Sequence, residues 1–83
     1  MAFVYILQSG STKRFYIGST DSLDRRMSEH LRGHSLATRG RGPWKLVYTE
    51  EFPTLFEARQ REREIKRWKS SRMIASLISE RLG

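Results

Sequence analysis

Eighty-three residues leave room for one domain and one modest core, so a functional site is expected on the surface or in a shallow cleft rather than between domains. The chain has no cysteine, which excludes disulfides, thiolate zinc sites and cysteine nucleophiles, and a metal, if held, is expected on oxygen ligands. A formal charge of +7, with twelve arginines among sixteen cationic residues, favours a polyanionic partner, although the same charge also suits solubility or nonspecific binding.

Phe3 to Gln8 reads as a strand, Ser9-Gly10-Ser11-Thr12 as a turn and Arg14 to Ser19 as a second strand, the three making a hairpin. With Gln8 facing Lys13 across a four-residue loop, Tyr5 falls opposite Tyr16, and Val4, Ile6, Phe15 and Ile17 share the other face. A loop of three or five residues would put the two phenols on opposite faces.

Thr20 or Asp21 can cap a helix running to about Leu31 or Arg32, with Gly33 suited to the left-handed position beyond it. Leu23, Met27 and Leu31 form its apolar stripe. At about 100° per residue, Arg26 and His30 lie one turn apart along one flank of the stripe, whereas Arg25 points away. Gly33 to Pro43 reads as a basic loop, in which Arg39 and Arg41 are candidate contacts to a phosphate backbone.

From Trp44 to about Phe52 a third strand is expected, with Trp44, Leu46 and Tyr48 alternating with Lys45, Val47 and Thr49. Thr54 and Glu57 form a capping-box pair opening a second helix to about Lys69. Leu55, Ala58 and Ile65 face inward with Glu62 in their arc, while Glu57 and Glu64 project to the opposite side. Ser70 or Ser71 caps a final helix that packs through Met73, Ile74, Leu77 and Ile78. No apolar run approaches the roughly 20 residues that span a bilayer. Met1 to Leu7 lacks a signal-peptide pattern, so no membrane partner and a cytoplasmic location are expected.

Tyr5, Tyr16, Arg26, His30 and Glu62 are thus polar groups on or beside inward faces. Phosphodiester hydrolysis needs a deprotonated nucleophile, cation density on the non-bridging oxygens and stabilisation of the departing oxyanion, and these residue types can supply all three. A lone glutamate suits magnesium, which takes one or two carboxylates and keeps several waters. Each residue also has a structural alternative: a cross-strand tyrosine pair, a solvated helix arginine, a packing histidine, or a glutamate paired with Lys66 or Arg59.

Tyr5 and Tyr16-Ile17-Gly18, eleven positions apart from tyrosine to tyrosine, resemble the paired signature of the GIY-YIG nuclease superfamily. Arg26, His30 and Glu62 resemble its helix arginine, its histidine and its metal-binding glutamate. In Val4-Tyr5-Ile6-Leu7, Pro43-Trp44-Lys45-Leu46-Val47-Tyr48 and Ile65-Lys66-Arg67-Trp68 the chain is similar to the small stand-alone bacterial members. The signature glycine is replaced here by Phe3.

The resemblance implies an α+β fold, a small three-stranded antiparallel sheet flanked by helices in the order ββαβαα, over a single domain from 1 to 83. It implies an endonuclease holding one Mg2+ or Mn2+ on Glu62, with Tyr5 activating water, Tyr16 helping to position it, Arg26 steadying the phosphate and His30 either hydrogen-bonding near the tyrosines or assisting proton transfer. The expected partner is nucleic acid, DNA favoured over RNA, contacted by Arg26, Arg39, Arg41 and Lys66, with a separate protein supplying targeting. The alternative is a nucleic-acid-binding module on the same fold without turnover of its own.

Overall fold

The computed structural model describes residues 1–32 and 43–82, with side chains up to residue 80. Three strands, β1 (Ala2–Ser9), β2 (Phe15–Thr20) and β3 (Trp44–Phe52), form one antiparallel sheet with β1 between β2 and β3. Three helices, α1 (Leu23–Leu31), α2 (Leu55–Arg67) and α3 (Ser71–Leu82), complete the order ββαβαα expected for an α+β fold.

Alternation divides β1 between two environments. Ala2, Val4 and Ile6 face α2 and α3, joining Ile17, Tyr48, Ala58, Ile65 and Ile74 in the core. Complete burial of Val4, Ile6, Ala58 and Ile65 fixes α2 against the sheet, each large side chain contributing on the order of 1.5–3 kcal/mol of transfer free energy. Tyr5 and Leu7 occupy the opposite face, also buried.

The two faces of the hairpin are those read from the sequence, but the register differs by two residues. Gln8 pairs with Phe15, Tyr5 with Gly18 and Leu7 with Tyr16. The connection is longer because the Ser9 hydroxyl oxygen accepts from the Ser11 and Thr12 amides, at 3.2 and 3.1 Å. Lys13 follows in a left-handed conformation, φ 65°, and the Ser9 amide donates to the Arg14 carbonyl at 2.9 Å. A shift of two preserves facing, so both phenols stay on one side and meet diagonally.

The third strand corrects a second expectation. Ile6 pairs with Tyr48 but Leu7 with Leu46, leaving Val47 as the extra residue of a bulge. This breaks the expected alternation: Tyr48 turns into the α2 core, while Leu46 and Trp44 stay opposite Leu7 and Ser9.

Local capping explains the helix starts. Thr20 Oγ1 accepts from the Ser22 amide at 3.1 Å, so the N-cap is Ser22 rather than Thr20 or Asp21, and its side chain accepts from Arg25 N. Thr54 caps α2 as expected, through the Glu57 amide at 3.3 Å. Ser70 Oγ accepts from Met73 N at 3.2 Å at the start of α3. Leu31 and Met73, expected to pack, are 77% and 47% exposed. His30 rather than Leu31 is the buried residue of α1.

Candidate functional site at the edge of strand β2

Gly18 is the geometric key to the site. It lies opposite Tyr5 in the ladder, and the Tyr5 ring runs directly across it. A Cβ built on Gly18 would lie 2.4 Å from the Tyr5 hydroxyl oxygen and 2.5 Å from its Cζ. Only a residue without a side chain allows the phenol of the central strand to cross β2 and reach its outer edge.

At that edge Tyr5 meets α1. The Arg26 Nε–H donates to the Tyr5 hydroxyl oxygen at 3.2 Å, and His30 Nε2 lies 3.1 Å from the same oxygen. The one-turn spacing of Arg26 and His30 is what lets both reach one atom. Tyr16 closes the group, its ring centroid 6.3 Å from that of Tyr5 and 5.2 Å from that of His30. Arg25, one position away, is exposed and pairs with Asp21 at 2.8 Å. Four of the five core candidates therefore come together.

Glu62 arrives from the other face of the sheet, on the inward arc of α2. Its side chain is 18% exposed; Oε2 receives the Lys66 ammonium at 2.5 Å, and Oε1 accepts from the Ser19 hydroxyl. Because Ser19 follows Gly18, this contact ties the carboxylate to the point where Tyr5 crosses β2. The pairing with Lys66, one structural alternative for Glu62, is present and coexists with the Ser19 contact. Arg39 and Arg41 lie outside the described residues.

Electrostatics follow from these positions. Burial pushes the Tyr5 phenol up to about 12, partly opposed by the Arg26 hydrogen bond and reinforced by Tyr16 and the charge of Glu62. The Tyr5 hydrogen bond holds the Arg26 guanidinium in its charged form against desolvation. Burial, and then the Arg26 charge, lower the His30 imidazole below its usual range, with Glu29 opposing. A neutral imidazole with Nδ1 protonated offers Nε2 as acceptor, so the Tyr5 O–H donates to His30 while its oxygen accepts from Arg26.

Beside this cluster an open cleft of about 490 Å3 is lined by Ser19, Thr20, Asp21, Arg25, Arg26, Glu29, Leu55 and Arg59. Its lining is largely polar and carries three guanidinium groups against two carboxylates, Asp21 paired with Arg25 and Glu29 with Arg26, leaving a net positive charge that suits a phosphate backbone. Gly18 and Ser19 were given no role of their own from the sequence. Hairpin parity carries a signal for Ser19, since it shares the α2-facing side with Ile17; the need for glycine at 18 emerges only once Tyr5 is seen to cross it. Trp44, assigned no role from the sequence, sets its ring against Tyr16 at 6.4 Å and extends the aromatic row.

Comparison with known proteins agrees with this fold. The chain is 43% identical over 77 residues to a UPF0213 protein of Natronomonas pharaonis, covering 88% of this chain and 89% of that protein. It resembles the solution structure of the UPF0213 protein from Bacillus halodurans, with a TM-score of 0.60, 41% identity, and coverage of 95% of this chain and 84% of that one. It is also 42% identical over 79 residues to the structure-specific endonuclease subunit SLX1 of Meyerozyma guilliermondii, covering 87% of this chain but 27% of that protein. Relatives of the small form occur in archaea as well as bacteria, a wider range than the bacterial resemblance implied. The model of the GIY-YIG catalytic domain matches residues 1–75, and the chain belongs to that family.

Proposed function

We propose that this protein is a divalent-metal-dependent endonuclease that hydrolyses phosphodiester bonds in DNA, with its site at the outer edge of β2. The observation that carries this reading is the convergence on that edge of one buried phenol, a guanidinium and an imidazole from one face of the sheet, and a carboxylate from the other. Family membership and the similarity to an endonuclease subunit support it.

The proton path follows from the hydrogen bonds. At neutral pH Tyr5 keeps its proton, so it acts as a base by relay: its oxygen takes a proton from the attacking water as its own proton passes to His30 Nε2. Arg26 favours this by donating to the phenol oxygen throughout. Its Nη1 pairs with Glu29 at 3.4 Å on the wall of the cleft, so the scissile phosphate would compete with that carboxylate for the guanidinium. Tyr16, set edge-on to His30, limits where the water can sit.

The donor set fits magnesium or manganese. A carboxylate offers about four lone-pair sites, of which Ser19 and Lys66 use two. Among the described residues no cluster of three or more metal-ligating His, Cys, Asp or Glu side chains occurs. A magnesium ion completed by water and phosphate oxygens requires none. Glu62 would hold the ion, which would supply Lewis-acid charge at the phosphate and at the leaving oxygen.

Lys66 favours a second reading, a nucleic-acid-binding module without turnover, because its ammonium already neutralises the carboxylate. Incubation of the protein with branched, nicked and single-stranded DNA, with and without Mn2+, separates the two. Metal-dependent cleavage lost in Glu62→Ala supports the nuclease. Salt-dependent binding without cleavage, equal in wild type and Glu62→Ala, supports the binding module.

A further inference from the structure

A second cleft, of about 320 Å3, opens between the start of β2 and the junction of α2 with α3. Its floor is apolar, made by the half-buried Phe15 with the edges of the core residues Ile17 and Ile74 beside it and Ile65 buried beneath, and its rim carries Arg14, Lys66, Lys69, Ser70 and Ser71. Among the described residues no acidic side chain lines it. Lys66 joins this cleft directly to the site above, because its ammonium rests on Glu62.

We propose that this cleft receives an unpaired nucleotide of the strand being cut, its base and sugar on the apolar floor and its phosphate on the cationic rim. The inference rests on the nuclease reading and adds a substrate class to it: DNA with an unpaired nucleotide next to the scissile phosphate. The volume lies at the small end for ligand sites, suiting one nucleotide and not the width of a duplex. Paired bases keep their faces stacked within the helix, whereas an unpaired base presents a flat apolar face. Cations around an apolar floor match a nucleotide's combination of anionic phosphate and flat ring.

Lys69 adds an independent observation. It is the first residue past the α2 cap, with φ 48°, a left-handed conformation that glycine adopts more readily than lysine. A lysine there carries a conformational cost that glycine would not. Replacement by glycine relieves the backbone while removing the ammonium, so binding and stability should move in opposite directions.

The experiment titrates the full chain, in EDTA, with pentathymidylate and with a short blunt duplex. It follows fluorescence anisotropy of labelled DNA, isoleucine methyl shifts and thermal melting. Pentathymidylate should shift the Ile17 and Ile74 methyls more than the duplex does. Lys69→Gly should weaken pentathymidylate binding at least threefold and reduce its salt slope by about 0.7, the value for one lost phosphate contact on a single strand, without lowering the melting temperature. Unmoved methyls, equal shifts with the duplex, or an unchanged affinity and slope in Lys69→Gly would overturn the proposal. Failure of both DNAs to bind would also overturn it and leave the cleft to a protein partner. Cleavage is not read, so a protein that passes this test yet cuts no DNA with metal contradicts the nuclease reading alone.

Discussion

The Tyr5 phenol and Gly18 are neighbours that tolerate no atom between them: a Cβ on Gly18 would meet the hydroxyl oxygen at 2.4 Å. Tyr5 is 1% exposed and its ring has no free space to retreat into. Gly18→Ala should therefore cost about 1–3 kcal/mol in denaturant unfolding, the usual range for overpacking. It should also reduce cleavage by about a hundredfold or more through loss of phenol positioning. In a Tyr5→Ala background the stability penalty should largely vanish, a coupling that a double-mutant cycle reads directly.

Removing only the hydroxyl probes the shared hydrogen bonds. Tyr5→Phe keeps the ring over Gly18 but leaves Arg26 Nε and His30 Nε2 without that partner atom. A loss of about 1–3 kcal/mol is expected for buried groups left unsatisfied, together with a fall in cleavage rate of about 10²–10⁴. Unfolding curves and single-turnover rates check the two effects separately.

Two groups set the pH response. His30 is depressed in the folded state, so the unfolded chain binds its proton first. Its stability contribution is present above the ordinary value of about 6.5 and is lost as pH falls through the lowered folded value. Cleavage should decline over the same acid range as Nε2 becomes protonated and stops accepting. Tyr5 is raised to about 12, so its contribution is present below about 10 and is lost as pH rises toward 12. The difference in tyrosinate absorbance between wild type and Tyr5→Phe should titrate near 12, and His30→Gln should remove the acid-side loss in stability.

Lys66 and Ser19 should have opposite effects on metal use. Lys66 sits on Glu62 Oε2 and competes with an added cation. Lys66→Met should lower the Mn2+ concentration for half-maximal cleavage several-fold while weakening DNA binding. Ser19→Ala removes the hydroxyl that holds Oε1 and should raise that concentration. Metal titrations of cleavage at saturating DNA check both.

Much of this was legible in the sequence, for identifiable reasons. Helical spacing selected Arg26 over Arg25 and Glu62 over Glu57 and Glu64, because a period of 3.6 separates adjacent residues by about 100°. In the structure Arg25, Glu57 and Glu64 are exposed. Strand alternation put both phenols on one face even though the register was wrong, since a slip of two preserves parity. The misses arose where local geometry departs from period. Ser9 stabilises a longer turn through its own hydroxyl, and the bulge at Val47 reverses the facing of Tyr48. The dependence of the site on Gly18 required the path of the Tyr5 ring, which no spacing rule contains.

The central claim is that groups from opposite faces of the sheet act as one site around the edge of β2. A Mn2+ titration followed by chemical shifts and line broadening tests it most directly. The account predicts that Glu62, Ser19 and Gly18 respond together with the Tyr5 and Arg26 side chains, and that Glu62→Ala abolishes the response. Broadening scattered over the surface, or centred on Glu62 with Tyr5 and Arg26 unmoved, or surviving in Glu62→Ala, would contradict it.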